Sequence, residues 1–292
     1  AVIYRHFVIQ GNRRDFIAVK ENGKFGSYRL REEISSGGIA TIWLATDAND
    51  NLFALRIMHG NFRLSSSGPA LFKAGCEMLS TIPSHENLIR YIDHGRTAGR
   101  DYMLLEYVEG ANLRELMIKG DAQVQDNLGE LLIDMASALA HVHASGFMHL
   151  DFKPENLMVS RGGRVLLCDF DTSQPIPNSP IKLPKKSGTP LYMPPEIVNG
   201  WGCDQRADIY SFAVTAYELL TRIKPFEGQS PKDMLRNQLD PKYRIRKPRD
   251  FNDGIPILLE NMLLKCLSYL PENRYPYMAH IRRDLHKSLG VR

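Results

Sequence analysis

The fold of this chain is decided by one loop, which reads HLDFKPEN from His149 to Asn156. The loop places a carboxylate, an ammonium group and a side-chain amide close together. Asp151 is suited to accept a proton from a hydroxyl group, Lys153 to hold a phosphate in transit, and Asn156 to bind Mg²⁺ through its carbonyl oxygen. These three side chains in one loop predict the transfer of a phosphoryl group.

A second carboxylate motif follows this loop. The apolar run 165–168 predicts a buried strand, and Asp169-Phe170-Asp171 comes at its end. Because that strand end is expected beside the loop, Asp169 is the expected second metal ligand. Asn156 and Asp169 together predict a site for Mg²⁺ or Mn²⁺.

Upstream, residues 34–45 read ISSGGIATIWLA and join two predicted strands. Small residues such as Gly37 and Gly38 allow backbone N–H groups to approach a phosphate closely. A Gly-Gly pair between strands is more often only a turn. The motif alone therefore does not establish a nucleotide site.

The chain divides into a strand-rich part and a helical part. Apolar and polar residues alternate over 28–31 and 42–44, and turn residues bound the apolar runs 52–55 and 102–105. After Gly110 apolar residues recur at helical spacing, in stripes over 128–142, 209–220 and 257–267, which we interpret as core. The segment Glu106–Gly110 is the expected hinge, and Pro175–Pro190 is expected to form a long surface loop.

The N-terminus predicts an additional hairpin. Asn22-Gly23 favours a tight turn between residues 16–19 and 25–28, so we expect residues 1–27 to support the strand-rich lobe or to contact a region upstream. The chain begins with Ala1-Val2 and has no initiating Met, so we expect it to be part of a longer protein.

Composition excludes several classes. The 292 residues are 43% hydrophobic and 24% charged, which excludes a disordered tail, a fibre and a disulfide miniprotein. A net charge of +4 is too mild and too evenly spread to predict a nucleic-acid partner. Four widely separated cysteines are typical of a reduced, cytoplasmic compartment. The apolar stretch 131–142 is too short and too polar to insert into a membrane, although an anchor elsewhere in the parent protein stays open.

From Tyr28 to its C-terminus the chain resembles the protein kinases, in particular the bacterial eukaryotic-like (Hanks-type) Ser/Thr kinases, with the motifs in family order and spacing. The resemblance implies an α+β bilobal fold, with a small antiparallel β lobe carrying one main helix and a larger, mostly α-helical lobe. It divides the chain into an N-terminal extension (1–27), an N-lobe (28–107) and a C-lobe (108–292). It also implies ATP as cofactor and a protein substrate.

The resemblance assigns roles to individual residues. Asp151 and Lys153 are the expected catalytic pair, and Asn156 and Asp169 the expected metal ligands. Nucleotide contacts are expected from Ser35, Gly37, Gly38, Ile42, Ala54, Arg56, Glu106, Val108 and Leu157. Structural or regulatory roles are expected from Glu77, His149, Phe170, Thr189, Asp208 and the pair Glu196 and Arg274. Lys153 with Thr189 favours Ser or Thr as the acceptor.

Four positions depart from the family pattern. Arg56 stands where the family has a Lys that grips the phosphates, and the helix Glu that pairs with this Lys would fall at Gly75. Glu77 is the nearest carboxylate, but it lies about 200° further around the helix, so it substitutes only if the helix is rotated. Asp171 replaces the Gly of the metal motif, and Leu150 replaces the Arg that commonly precedes the catalytic Asp.

Without an acid at position 75, the Arg56 guanidinium needs another anion. The candidates are Glu77, Asp169, Asp171 and the phosphates themselves. Asp171 adds a second negative charge beside Asp169, which raises the demand for a cation there. We therefore expect Arg56 to lean toward residues 169–171 when nucleotide is absent.

Two classes of function remain open from the sequence. One is an ATP-dependent Ser/Thr phosphotransferase, and the other is a pseudokinase that serves as a nucleotide-binding or scaffolding module. The presence of Asp151, Lys153, Asn156 and Asp169 together favours the enzyme, whereas Arg56 and Gly75 favour the scaffold. A small-molecule kinase is disfavoured because residues 188–196 and Arg274 resemble parts that serve protein substrates. The sequence specifies neither the substrate nor the oligomeric state.

Overall fold

The structure is a computed structural model that describes residues 21–60, 68–183 and 189–290. The strand-rich part folds into an antiparallel sheet whose strands lie in the order β1-β2-β3-β4-β6-β5. The strands are β1 (Lys24–Phe25), β2 (Tyr28–Ser36), β3 (Ala40–Thr46), β4 (Leu52–Met58), β5 (Tyr91–Thr97) and β6 (Arg100–Glu106).

One helix, α1 (Gly68–Thr81), packs on this sheet and buries Phe72 and Leu79 in the same apolar cluster as Met58 of β4. Successive side chains of a strand point to opposite faces. Leu55 and Ile57 therefore fill a separate cluster on the other face of the sheet, while Arg56 faces α1. The alternation of β4 places an arginine between sheet and helix.

The second lobe is mostly helical. Its helices are α2 (Leu113–Lys119), α3 (Ala122–Asp126), α4 (Leu128–Ala144), α5 (Pro195–Val198), α6 (Arg206–Thr221), α7 (Pro231–Gln238), α8 (Ile257–Cys266) and α9 (Met278–Leu289). Its short strands are β7 (Gly110–Asn112), β8 (Phe147–Met148), β9 (Leu157–Ser160), β10 (Val165–Leu167) and β11 (Gln174–Pro175). The predicted α+β bilobal fold is confirmed.

The helical stripes are confirmed for two of three helices. The stripe of α4 is buried as predicted except for the half-buried Leu128, and every residue of α6 after Arg206 is buried. In α8 the stripe is wrong at its beginning, because Ile257 and Leu258 are exposed and Leu259 is the buried residue. Among the described residues, the outer side of this first turn is therefore left uncovered.

The β9–β10 hairpin brings the two chemical loops together. It follows the loop 149–156 and precedes residues 168–171, so both loops emerge at the same end of one antiparallel pair. Backbone hydrogen bonds from Leu167 N to Asn87 O (2.8 Å) and from Ile89 N to Leu167 O (3.0 Å) tie β10 to the segment that follows α1. The site therefore forms where the two lobes meet.

The predicted N-terminal hairpin is only partly visible, because residues 16–19 lie outside the described residues. Its expected second strand, 25–28, is broken by a turn: Gly26 has φ +60°, and β1 folds back on the start of β2 at Gly26-Ser27. A left-handed glycine ends a strand without strain. The proposed boundaries at 27 and 107 stay predictions.

Candidate active site

The backbone of the loop 149–156 is fixed by one buried carboxylate. Asp208 at the start of α6 is fully buried and accepts hydrogen bonds from His149 N and Leu150 N, both at 2.7 Å. Leu150 has φ +65°, an unfavourable conformation for a branched side chain that the two hydrogen bonds hold in place. Burial acts to raise the pKa of Asp208, but contact with His143 and these backbone donors lower it overall. Asp208 therefore stays charged and anchors the loop.

Two residues predicted to have structural roles, His149 of the loop and Phe170 of the metal motif, pack against each other. The His149 and Phe170 rings meet edge to face at 5.0 Å, and Phe170 is 1% exposed. His149 Nε2 also lies 3.1 Å from the carbonyl oxygen of Cys168. The packing joins the loop to the segment that carries Asp169.

The predicted catalytic residues lie in mutual contact. Lys153 Nζ donates to Asp151 Oδ2 at 2.6 Å and to Thr189 Oγ1 at 2.7 Å. Thr189 N and Oγ1 lie 3.1 Å and 3.3 Å from Asp151 Oδ1. Asn156 Nδ2 donates to the backbone and side-chain oxygens of Asp151, at 2.8 Å and 3.0 Å. Three residues, the most distant of them 38 positions along the chain, thus surround the carboxylate of Asp151.

The two predicted metal ligands offer oxygen atoms at the same cleft. Asn156 uses its amide nitrogen for both hydrogen bonds to Asp151, which leaves its carbonyl oxygen for a cation. The Asp169 side chain is 42% exposed. Within the described ranges, no three His, Cys, Asp or Glu side chains are placed to hold a metal ion. Two oxygen donors fit Mg²⁺, which characteristically takes its remaining ligands from water and substrate phosphates.

The glycine-containing turn joins β2 to β3. Gly37 N donates to Ala40 O at 2.9 Å, and Ser35 lies opposite Ile42 in the strand register. Among the described residues, no atom lies within 4 Å of a Cβ added to Gly38. The turn is therefore uncrowded at Gly38.

The other predicted nucleotide contacts lie along the two lobes. Ala54 lies in β4 opposite Leu105, and Glu106 N at the end of β6 donates to Arg90 O at 3.0 Å. Val108 packs against the core that also contains the fully buried Leu157. These predicted nucleotide contacts thus border the junction between the lobes.

Arg56 contacts the metal motif, as expected. Its Nη1 and Nη2 donate to the two carboxylate oxygens of Asp171 at 2.7 Å and 2.5 Å, and Nη2 lies 3.6 Å from Asp169 Oδ1. Burial acts to lower the pKa of Arg56, but the two carboxylates raise it overall. Burial raises the pKa of Asp171, while the Arg56 guanidinium opposes that shift. The bidentate geometry holds the pair charged.

Glu77 does not take the place of the family's helix acid, contrary to the role predicted for it. Its side chain is 59% exposed and pairs with Lys73 at 3.4 Å, one turn away on the outer face of α1. The helix is therefore not rotated toward the cleft. Gly75 is buried and faces Asp171 instead.

The predicted pair of Glu196 and Arg274 is present in the C-lobe. The two hydrogen bonds between guanidinium and carboxylate measure 2.7 Å and 2.8 Å, and both side chains are almost fully buried. Arg274 also donates to the backbone oxygens of Arg206, Ser268 and Tyr269. This pair fixes the end of the segment 189–196.

A charged cluster that no sequence motif predicted lies beneath the loop 149–156. Arg114 of α2 pairs with Glu155 and with Glu218 of α6, both at 2.9 Å, and it also contacts the Tyr192 hydroxyl group. Lys224 donates to Glu218 at 2.6 Å. Burial acts to raise the pKa of Glu218, but these donors lower it overall. Arg114 and Glu218 are 104 positions apart, and no local signal in the sequence connects them.

Similarity to known proteins identifies the family to which this site belongs. The family model of the protein kinase domain matches residues 28–284. The chain belongs to the protein kinase family. The match begins at the first residue of β2 and extends into α9, so it includes both lobes.

The similar proteins are bacterial serine/threonine-protein kinases. PknB of Mycobacterium leprae is 30% identical over 267 residues, which cover 88% of this chain and 42% of that protein. A probable serine/threonine-protein kinase of Clostridium perfringens is 29% identical over 262 residues, covering 89% and 38%. PknL of Mycobacterium tuberculosis is 28% identical over 260 residues, covering 88% and 64%. The chain thus spans about two fifths of the length of the first two relatives.

In the described part of the chain, no helix is both long enough and apolar enough to span a membrane.

Proposed function

We propose that this chain is an ATP-dependent protein kinase that transfers the γ-phosphate of ATP to Ser or Thr hydroxyl groups of a protein. The observation that carries the proposal is the contact of Asp151, Lys153 and Thr189 at the cleft that also contains Asn156 and Asp169. Family membership supports ATP and a divalent metal as cofactors. A protein substrate is likewise the family's expectation.

Asp151 is the proposed base. Its Oδ2 is occupied by Lys153 and Asn156, whereas its Oδ1 faces Thr189. In this position Oδ1 orients a substrate hydroxyl group and accepts its proton. Lys153 places a positive charge beside the same position, where it stabilises negative charge that develops on the transferred group.

The Thr189 hydroxyl group supports Ser and Thr as acceptors. It lies 2.7 Å from Lys153 Nζ and 3.3 Å from Asp151 Oδ1, so an aliphatic hydroxyl group fits between these two side chains. Thr189 is also tied to Asp151 through its backbone N–H group. Thr189 is therefore a proposed positioning residue that holds the segment 189–196 against the base.

Asn156 and Asp169 are the proposed metal ligands. A bound divalent cation neutralises phosphate charge and orients the transferred group. The Asp169 backbone has φ +61°, and the contact between Phe170 and His149 holds this segment against the loop. The chain thus holds both oxygen donors in place before a cation arrives.

One observation favours the second candidate function, a pseudokinase that binds nucleotide or scaffolds other proteins. Arg56 lies 3.6 Å from Asp169 Oδ1 and so competes with a cation for this carboxylate. A guanidinium also differs from the family's ammonium group in shape and hydration, so it grips phosphates differently. This candidate predicts nucleotide binding without turnover.

The test is transfer of radiolabelled phosphate from ATP to the chain itself and to a generic protein substrate, with Mg²⁺ and with Mn²⁺. We expect turnover in the parent chain and a loss of about a hundredfold or more in Asp151→Asn. The melting temperature should stay near that of the parent, since Asn keeps the shape of Asp.

The matched control is Asp50→Asn. Asp50 lies in an exposed turn at φ +60°, a conformation that Asn tolerates well, and its removal should leave turnover unchanged. Phosphoryl transfer that persists in Asp151→Asn would contradict the assigned base. Nucleotide binding with no transfer in the parent would favour the pseudokinase.

A further inference from the structure

Three of the departures from the family pattern meet at one point. Arg56 of β4, Gly75 of α1 and Asp171 of the metal motif come from three separate segments. The Arg56 and Asp171 side chains are only 12% and 10% exposed, and they form two parallel hydrogen bonds. The guanidinium also lies over the Phe72 ring, 5.2 Å from its centre. Arg56 and Asp171 therefore form a nearly buried, bidentate ion pair.

The Asp171 carboxylate fills the space beside Gly75. A Cβ placed on Gly75 would lie 2.8 Å from Asp171 Oδ1 and 3.2 Å from Asp171 Cα. The first distance is too short for any Cβ contact and the second is tighter than most, so a side chain at position 75 requires Asp171 to shift. An acid on α1 at this position would therefore displace the Asp171 carboxylate from its place beside Gly75.

The nearest acid on α1 is unsuited to replace Asp171. Glu77 lies on the outer face of the helix, where it pairs with Lys73. The negative charge that faces Arg56 comes instead from Asp171, with Asp169 as a more distant neighbour.

We propose that Asp171 supplies the counter-ion that other kinases carry on the helix, and that Gly75 is the small residue that admits it. Arg56 and Asp171 are then positioning residues: they connect the central strand β4 directly to the segment that carries Asp169. The connection does not pass through a side chain of α1. This inference rests on the proposed function, because it assigns the pair to the phosphate cradle of the same site.

Charge balance supports this arrangement. Arg56 contributes one positive charge against the two carboxylates of Asp169 and Asp171, so one negative charge remains at the exposed Asp169. A divalent cation is attracted to that remaining charge. Asp171 takes both terminal nitrogens of Arg56 and so weakens, without removing, the competition of the guanidinium with a cation for Asp169.

The experiment moves the carboxylate back to the helix. Asp171→Gly, Gly75→Glu and the double variant are compared with the parent by phosphoryl transfer, by calorimetric binding of ADP with and without Mg²⁺, and by melting temperature. Glu77→Gln is the matched control, since it removes a helix acid on the exposed face.

Each single variant should lower turnover about a hundredfold, the magnitude of one well-aimed charged contact at a reaction centre. Asp171→Gly leaves Arg56 without its partner, and Gly75→Glu displaces Asp171. The double variant should recover at least tenfold over either single variant, because the helix carboxylate then faces Arg56 in the vacated space. Mg²⁺-dependent binding of ADP should follow the same order, and Glu77→Gln should match the parent.

The inference is overturned if Asp171→Gly retains turnover and Mg²⁺-dependent binding of ADP within about twofold of the parent. It is also overturned if the double variant is folded but no better than the poorer single variant. Should Asp171→Gly fail to fold, Asp171→Asn tests the same charge with the shape retained. A parent that binds ADP without turnover contradicts the proposed function alone, because ADP binding by the four variants still decides the pair. A parent that does neither overturns both.

Discussion

Two buried arginine–carboxylate pairs in this molecule share one geometry and differ in everything around it. Arg274 and Glu196 join two parts of the C-lobe, whereas Arg56 and Asp171 join the sheet of the N-lobe to the metal motif. Both pairs are bidentate, with hydrogen bonds of 2.5 to 2.8 Å. Arg274 also donates to three backbone oxygens, whereas Arg56 faces a second carboxylate that is partly exposed.

The difference teaches what each pair is for. A guanidinium whose donors bond fixed backbone atoms within one lobe serves the stability of that lobe. A guanidinium that joins two lobes and lies near Asp169, the proposed metal ligand, serves the geometry of the site. Breaking the first pair should therefore lower the free energy of unfolding, while changing the second should alter turnover in a chain that stays folded.

The largest effect is expected from Glu196→Gln. Arg274 would keep its charge in a fully buried position without a carboxylate, which costs about 3 to 5 kcal/mol of folding free energy. Unfolding in urea measures the loss. Glu272→Gln in the neighbouring turn is the control, since Glu272 is exposed. Equal stability of the two variants would contradict the structural role of the pair.

A smaller effect, on turnover rather than stability, is expected from Arg56→Lys. Lysine cannot form the two parallel hydrogen bonds to Asp171, so turnover should fall about tenfold although this restores the family residue. Steady-state phosphoryl transfer measures the change, with Arg31→Lys at an exposed ion pair as control. An increase in turnover would show that Arg56 weakens the cradle and that Asp171 is not its adapted partner.

The smallest effect is expected from phosphorylation of the segment 172–189. Leu150 stands where an arginine would bind a phosphate, and it lies in an apolar cluster with Met193 and Ile197. Phosphate on Ser179 or Ser187 should therefore change turnover by less than about twofold. Thr172, Ser173 and Thr189 are not part of this prediction, because their hydroxyl groups contact the loop 149–156 directly. Turnover before and after phosphatase treatment measures this. A large loss on treatment that an Ala substitution reproduces would prove the expectation wrong.

The parts of the fold that the sequence predicted have short-range signals. The stripe over 128–142 became α4 because every third or fourth residue is apolar, and the loop 149–156 could be interpreted because its chemical groups are adjacent in sequence. The first turn of α8 was predicted wrongly for a physical reason. Periodicity shows which face of a helix is apolar, but not how far along the helix a neighbour covers it.

The unpredicted parts of the site depend on long-range contacts. Arg56 and Asp171 are 115 positions apart, and the sequence left Asp171 as one of four candidate anions. The choice among these anions depends on the missing side chain at Gly75, because it leaves room for the Asp171 carboxylate beside α1. Only the packing of α1 shows that the two positions meet. The contact of Arg114 with Glu218 was missed for the same reason, because residue types show charge but not partners.

The packing that holds the site together also determines its redox chemistry. Cys76 lies in α1 next to Gly75, and Cys168 directly precedes Asp169. Burial raises the pKa of each thiol to about 12, so at neutral pH both remain in the unreactive thiol form. Peroxides and electrophilic inhibitors react with the thiolate rather than the thiol. Cys76 and Cys168 are therefore expected to react slowly with both classes of reagent, even though they border the charged residues of the site.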